Sequence, residues 1–413
     1  MRASQEVEID DARRTVLGAL SQLPAETLAL DAALGRVLAE ELVAEHPLPP
    51  FDSSAMDGFA VRAVDLARAR ADEPVALRLV DESRAGSPAH ARLERGQAIA
   101  ISTGAMLPAG ADAVVPVEHT RSVNGAVHVL EHPRTGAYLR RAGDDVAPGT
   151  NVLARGTTLG PAQLGMLGAL GRTHVSCARA PRVSVLVTGD ELLGAGERAR
   201  PGAIRDSNSH AIAALARCAG ARVLRSTVVR DDAQSTRESI AQSAADSEAI
   251  VICGGVSVGE HDHVRPSLRA LGARQAFWGL ALRPGHPTWF GTLERTPVFG
   301  LPGNPVSAIV TFVLLAGPAL RAMQGASCAR ERPTALLDVG YQKPAGRTHA
   351  LRCELSARED GLHARPTGPQ GSHVLSSMLA ADALAIVPSQ ATRVAPGTRV
   401  EIEPLRPWLV ACA

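Results

Sequence analysis

The stretch AIVICGGVSVGEHDHVRPSL, Ala249 to Leu268, holds two opposed kinds of chemistry in one loop. Gly254, Gly255 and Ser257 follow a short apolar run. Glycines let backbone N–H groups approach a ligand, and together with a hydroxyl they suit an anion. Glu260 and Asp262 come next, and carboxylates repel an anion. The two coexist if a hard divalent cation bridges them, because Mg²⁺ is typically held by one or two carboxylates plus phosphate oxygens and water. The loop therefore reads as one wall of a phosphate-ester site that uses a metal. His261 and His263 have no third histidine or cysteine nearby, so they read as loop histidines rather than zinc ligands.

Three other clusters have the same character. VTGDEL supplies Thr188, Gly189, Asp190 and Glu191, and VVRDD supplies Asp231 and Asp232. GLPGNPVSA runs from an apolar stretch into a helix start, with Pro302, Gly303, Asn304 and Ser307. Glu191, Asp231 and Asp262 are the carboxylates expected to act. Asp190 and Asp232 are equally well used as turn residues or helix caps.

The elements that must position these clusters alternate. RVSVLVTG, RVLRSTVV and EAIVICGG are apolar strands, and NSHAIAALARCAGA and DAQSTRESIAQSAAD are amphipathic helices. The alternation predicts a parallel sheet covered by helices from about Pro181 to Gln324. Ligands of such sheets bind beyond the carboxyl ends of the strands, where all four clusters fall. GLPGNPVSAIVTFVLLAGPAL reads as a buried helix, its apolar core being shorter than a membrane span of about 20 residues. Ahead of this region, about Asp10 to Glu45 reads helical, from apolar residues recurring at three and four. EHPLPPFDSSAMDGFAVRAVD reads as an extended loop, and about Val75 to Leu139 as a small all-β unit. From Arg332 onward, TALLDVGY, HALRCELSA, GLHARPT, ALAIVPS and TRVEIEPL predict a second β domain.

The totals agree with this division. A chain of 413 residues is too long for one ordinary core. Aromatics at 3% argue against base-stacking surfaces, and a net charge of +1 gives no general pull toward nucleic acid or an anionic membrane. The six cysteines form no C-x-x-C pair, and MRASQEVEIDDARR does not resemble a signal peptide, so a reduced, cytoplasmic setting is expected. Lys343 is the only lysine, so an arginine elsewhere carries little information about local selection.

Seven signatures in order now identify a resemblance: PPFDSSAMDGFAVRA, ISTGAMLPAGADAVVPVE, RRAGDDVAPG, VTGDEL, CGGVSVGEHD, GLPGNPVSA and GPQGSHVLSSM. The chain resembles the molybdopterin molybdenumtransferases, bacterial relatives of the gephyrin E domain, over nearly its full length. The resemblance implies a multidomain, L-shaped α/β-plus-β subunit. Its parts would be a discontinuous helical and loop domain (1–45 and 140–178), a small β domain (46–139), an α/β molybdopterin-binding domain (179–329) and a C-terminal barrel-like β domain (330–413). It also implies a homodimer whose clefts are built from both chains. The implied reaction is Mg²⁺-dependent: adenylylated molybdopterin and molybdate react, AMP leaves, and molybdenum ends on the pterin dithiolene. Partners would include the molybdopterin adenylyltransferase and downstream molybdoenzymes.

Carried over residue by residue, the acidic positions are Asp57, Asp145, Glu191, Asp231 and Asp262, with Glu191, Asp231 and Asp262 as metal ligands. Thr103, Thr188, Gly254, Gly255, Ser257, Arg283, His286, Pro302, Gly303 and Asn304 would surround the substrate. One departure stands out. Where the family often writes a lysine-rich K-x-A-x-K-P-G-K-P, this chain has GLALRPGHP, with Gly279, Arg283 and His286. Arginine still binds phosphate, glycine removes a cation, and histidine supplies one only when protonated. The alternative implied by that loss is a weakly catalytic paralogue that binds pterin or acts as a scaffold.

Overall fold

The computed structural model describes residues 6–123, 125–194, 196–257, 262–327 and 332–405. Glu260 and His261 of the opening loop lie outside the described residues.

The α/β region forms a six-stranded sheet in the order Arg222–Val229, Arg182–Thr188, Ala249–Cys253, Thr296–Leu301, Trp289–Leu293, Arg274–Trp278. The first four strands are parallel, as their unbroken apolar runs require when both faces are covered. The last two are antiparallel, so the sheet is mixed rather than purely parallel. The turn at Glu294 and Arg295 joins Trp289–Leu293 directly to Thr296–Leu301, and a connection that short can only make a hairpin. Helices Asn208–Cys218 and Ala233–Asp246 follow their strands as the periodicity predicts. Asp232 caps the second of them, its carboxylate accepting the Ser235 N–H at 2.8 Å.

The apolar run after Pro305 is one helix through Met323, long and apolar enough by composition to cross a membrane, yet 72% buried inside this fold. It loosens to π geometry over Phe312–Ala316. Pro318 has no N–H to give the Leu314 carbonyl, and Arg13 Nε donates to that carbonyl instead, at 2.7 Å.

The reading of 10–45 as helical is corrected. Only Ile9–Gly18 is an α-helix, and it buries Ile9, Ala12 and Val16 in the core of the α/β sheet. Ala25–Ala29 is a strand paired with His174–Ala178, and Leu42–Val43 pairs with Asn151–Leu153. The apolar spacing in LDAALGRVLAEELVA is genuine burial, since Ala33, Leu38 and Leu42 pack with Leu159, Leu167 and Val175. After a 3-10 turn at Leu30–Ala32 the chain is extended at Leu38 and Leu42, because pairing with residues more than a hundred positions away outweighs local helix propensity. The Pro-rich stretch is corrected similarly. Gly58–Val61 is an inner strand of the six-stranded insert sheet, flanked by Ala113–Pro116 and Gln97–Ile101.

All five C-terminal segments are strands. Thr348–Arg358, Gly361–Pro366, Thr334–Leu337, Arg399–Pro404 and Ala383–Val387 pair in that order, and the last closes back on the first as a five-stranded barrel. Leu282–Arg283 of the LRPGHP loop adds in parallel to Thr348 and His349, so the barrel carries part of the α/β domain's loop.

Candidate active site

The parallel strands end together. Going outward from Arg182–Thr188, Arg222–Val229 lies on one side and Ala249–Cys253 on the other. The connections diverge there, leaving a crevice between Thr188 and Gly254, which is where an open α/β sheet binds its ligand. Both flanking glycines are required. At φ +90°, a Cβ on Gly254 would stand 2.9 Å from the Thr188 carbonyl oxygen and hydroxyl, and one on Gly255 would stand 2.6 Å from Val264.

A cavity of about 270 Å³ fills this crevice. It gathers Thr188, Glu191, Asp231, Gly254, Gly255, Ser257, Asp262, Pro302 and Gly303 from all four parallel strand ends. The Thr188 hydroxyl is buried and has no hydrogen-bond partner among the described residues. A buried donor left unpaired is costly, so it suits a ligand that supplies an acceptor. Burial pushes the Asp231 carboxyl above its ordinary pKa, and the charges of Asp190 and Glu191 push the same way. The Asp231 backbone N–H donates to Asp190 Oδ1 at 3.1 Å, which makes Asp190 a turn residue.

Among the described residues no three His, Cys, Asp or Glu side chains form a ready-made metal cluster. Glu191, Asp231 and Asp262 share the cavity without closing on one point. Asp231 and Asp262 are half-buried and Glu191 is exposed, and such carboxylates around one cavity fit a cation held by one or two of them and completed by ligand oxygens.

A second cavity of about 290 Å³ adjoins at Pro302, between the LRPGHP loop, the helix starting at Pro305 and the barrel. It takes in Arg283, His286 and Asn304, and adds Ser307, Arg347 and Ser372. His286 Nδ1 donates to the Leu280 carbonyl at 3.1 Å, and the ring meets Trp278 edge-on. Gly279 lies against it: at φ +91°, a Cβ there would be 3.4 Å from His286 Cε1. The missing cation at 279 and the histidine at 286 are thus neighbours in space.

Asp57, Thr103 and Asp145 line neither cavity. They lie on loops of the β insert and the segment after it. Asp57 Oδ1 accepts both the Thr103 N–H, at 2.7 Å, and its hydroxyl, at 3.0 Å. Backbone bonds stitch these loops together: Ser54 N–H to Ala105 O, Ala55 N–H to Tyr138 O and Asp145 N–H to Leu48 O. Around them Phe51, Met56, Met106 and Tyr138 are 37% to 45% exposed.

Family models match most of the chain in the same order. The MoeA N-terminal region (domain I and II) matches residues 7–171, a probable molybdopterin binding domain 184–322, and the MoeA C-terminal region (domain IV) 334–405. The molybdopterin molybdenumtransferase of Haemophilus influenzae is 34% identical over 404 residues, covering 96% of this chain and 98% of its own. The chain belongs to the MoeA family. Molybdopterin molybdenumtransferase 2 of Mycobacterium tuberculosis is 36% identical, covering 91% of this chain and 94% of its own. The crystal structure of the molybdopterin biosynthesis MoeA protein from Pyrococcus horikoshii OT3 matches the fold with a TM-score of 0.83 at 30% identity, over 96% of this chain and 99% of that one.

For a MoeA chain, sequence reasoning missed several contributors. Asn208, at the start of an amphipathic helix, donates from Nδ2 to the Gly303 carbonyl at 2.7 Å and fixes the loop beside the crevice. Ser372 accepts from Asn304 Nδ2 at 3.1 Å. Its motif, GPQGSHVLSSM, was recognised without any residue in it being assigned a role. Arg347 carried no local signal at all.

Proposed function

We propose that this protein is a molybdopterin molybdenumtransferase. It takes adenylylated molybdopterin and molybdate, releases AMP and leaves molybdenum on the pterin dithiolene. The observation that carries this reading is the meeting of anion-type and acid-type walls in one crevice at the strand ends. Gly254, Gly255, Gly303 and the unpaired Thr188 hydroxyl suit the phosphate part of the substrate. Glu191, Asp231 and Asp262 are the residues that would hold Mg²⁺, which supplies neutralisation of diphosphate oxygens when bound. The adjoining cavity offers the cations of Arg283 and Arg347, with the His286 ring beside them, for an oxyanion or a phosphate.

The working form is a homodimer in which Asp57, Thr103 and Asp145 of one chain complete the crevice of the other. What supports this is their exclusion from both cavities and the apolar rim around them. The setting is cytoplasmic, with the adenylylated pterin delivered by the molybdopterin adenylyltransferase and the product passed to molybdoenzymes.

The test uses purified full-length protein with adenylylated molybdopterin, molybdate and Mg²⁺. AMP release in step with molybdenum transfer, abolished by chelation and restored by Mg²⁺, is the expected result. Tight pterin binding with neither AMP release nor transfer would replace the transferase reading with that of a pterin-binding scaffold.

A further inference from the structure

The second cavity has an edge that the glycine loops do not explain. Residues 6–8 run beside residues 279–281, with the Val7 N–H donating to the Gly279 carbonyl at 3.0 Å and the Ala281 N–H to the Val7 carbonyl at 2.9 Å. In extended chain, successive side chains face opposite ways. Val7 packs toward the α/β core, while Glu6 and Glu8 line a further cavity of about 560 Å³. Glu6 reaches Arg347 with both oxygens, accepting from Nε at 2.8 Å and from Nη2 at 2.5 Å. Its Oε1 is also 3.5 Å from His286 Nδ1.

Arg347 lines both cavities, and its carbonyl accepts from the ammonium of Lys343 at 2.8 Å. A guanidinium presents five N–H donors in a rigid fork. Glu6 occupies the Nε and Nη2 edge, and Nη1 has no hydrogen bond among the described residues. The bond from Arg347, with His286 and Arg347 charge adding to it, holds the Glu6 carboxyl below its ordinary pKa. The cationic surroundings reach His349, which burial and then Lys343, Arg283 and Arg347 push down to about 4.

We propose that Glu6 is a positioning residue of the anion cavity, holding Arg347 by one edge so that its Nη1 edge is presented to the oxyanion of the substrate. The inference rests on the reading that this cavity takes that anion. A carboxylate so near an anion also repels it. The Arg347 and Glu6 side chains are 40% and 31% exposed, so water weakens that repulsion without removing it. The ordering of the guanidinium is local and is not screened. A fork already fixed loses less freedom on binding than a free arginine.

Molybdate is titrated calorimetrically into full-length wild-type protein, Glu6→Ala, Glu6→Asp, Arg347→Ala and the Glu6→Ala/Arg347→Ala double variant. The KM for molybdate and kcat of insertion are measured on the same proteins. Glu6→Ala should raise Kd and KM about tenfold, leave kcat within about two-fold and leave the melting temperature unchanged. Glu6→Asp should recover most of the affinity, and the double variant should bind no more weakly than Arg347→Ala. If Arg347→Ala weakens binding while Glu6→Ala does not, or tightens it, the role of Glu6 is overturned and the cavity assignment survives. If Arg347→Ala also leaves Kd and KM unchanged, the cavity does not hold the oxyanion and the reading beneath the inference fails.

Discussion

The crevice at Thr188 and Gly254 and the patch at Asp57 are built from the same residue types, acids, a threonine and glycine turns, yet they are opposite kinds of site. The crevice is concave, drawn from four strand ends, and contains an unpaired buried hydroxyl and an acid pushed toward protonation. The patch is exposed, its acid already satisfied by Thr103, and it is rimmed by large apolar side chains. A site with unmet hydrogen-bonding demand calls for a ligand. A site with met demand and uncovered apolar surface calls for another protein surface.

The largest test of this contrast lies in the crevice. Asp262→Asn should keep the fold, by circular dichroism, and lower molybdenum insertion by roughly 100-fold or more. Near-normal turnover at saturating Mg²⁺ would remove Asp262 from the chemistry. Next comes the link between the regions. Asp57→Ala and Asp262→Ala chains, each inactive alone, should regain activity when mixed, approaching about a quarter of wild type if half the dimers are mixed and each holds one intact cleft. No recovery after proven subunit exchange would place Asp57 outside the neighbour's cleft.

Smaller effects sharpen the patch. Met106→Glu puts a charge on the apolar rim and should weaken self-association about tenfold or more, read as a mass falling on dilution. Its unfolding temperature at high concentration should stay near wild type; an unchanged mass at all dilutions would mean the rim is not the contact.

His363 of the barrel, which lines neither cavity, serves as a control whose change should alter stability and spare chemistry. His363 bonds Asp360 at 2.8 Å and Asp338 at 2.7 Å, and both contacts raise its pKa. That stabilisation is complete below the unfolded value near ~6.5 and fades as pH rises through the folded value. Asp338 and Asp360 are held low by the same histidine, so their share is present above ~3.9 and lost in acid. His363→Gln should therefore cost more stability at pH 5.5 than at pH 8.5 in thermal unfolding. An equal cost at both pH values would mean that the charge on His363 contributes nothing.

Much of the crevice was legible before the fold was known. Thr188, Asp231, Gly254 and Gly303 each follow an apolar run that ends abruptly, and strand ends on one sheet edge converge. Where the reading failed, the deciding partner was distant. LDAALGRVLAEELVA repeats like a helix, but Leu38 bridges Cys177. Gly58–Val61 looks like loop because Pro47, Pro49 and Pro50 precede it, but strands Gln97–Ile101 and Ala113–Pro116 enclose it.

By itself, the order of residues determined the alternating strands and helices, the glycine turns that open the crevice, and the carboxylates beside them. These depend on side-chain period and backbone freedom, which act over a few positions. Only the tertiary structure decided that Arg347, in the bend before a barrel strand, meets Glu6 at the far end of the chain and shares a cavity with Arg283. It also decided that Gly279 and His286 occupy one spot and that Asp57 stands apart. The contacts of Arg347 join residues tens to hundreds of positions apart, and no local pattern encodes which distant surface a side chain will meet once the cores have packed.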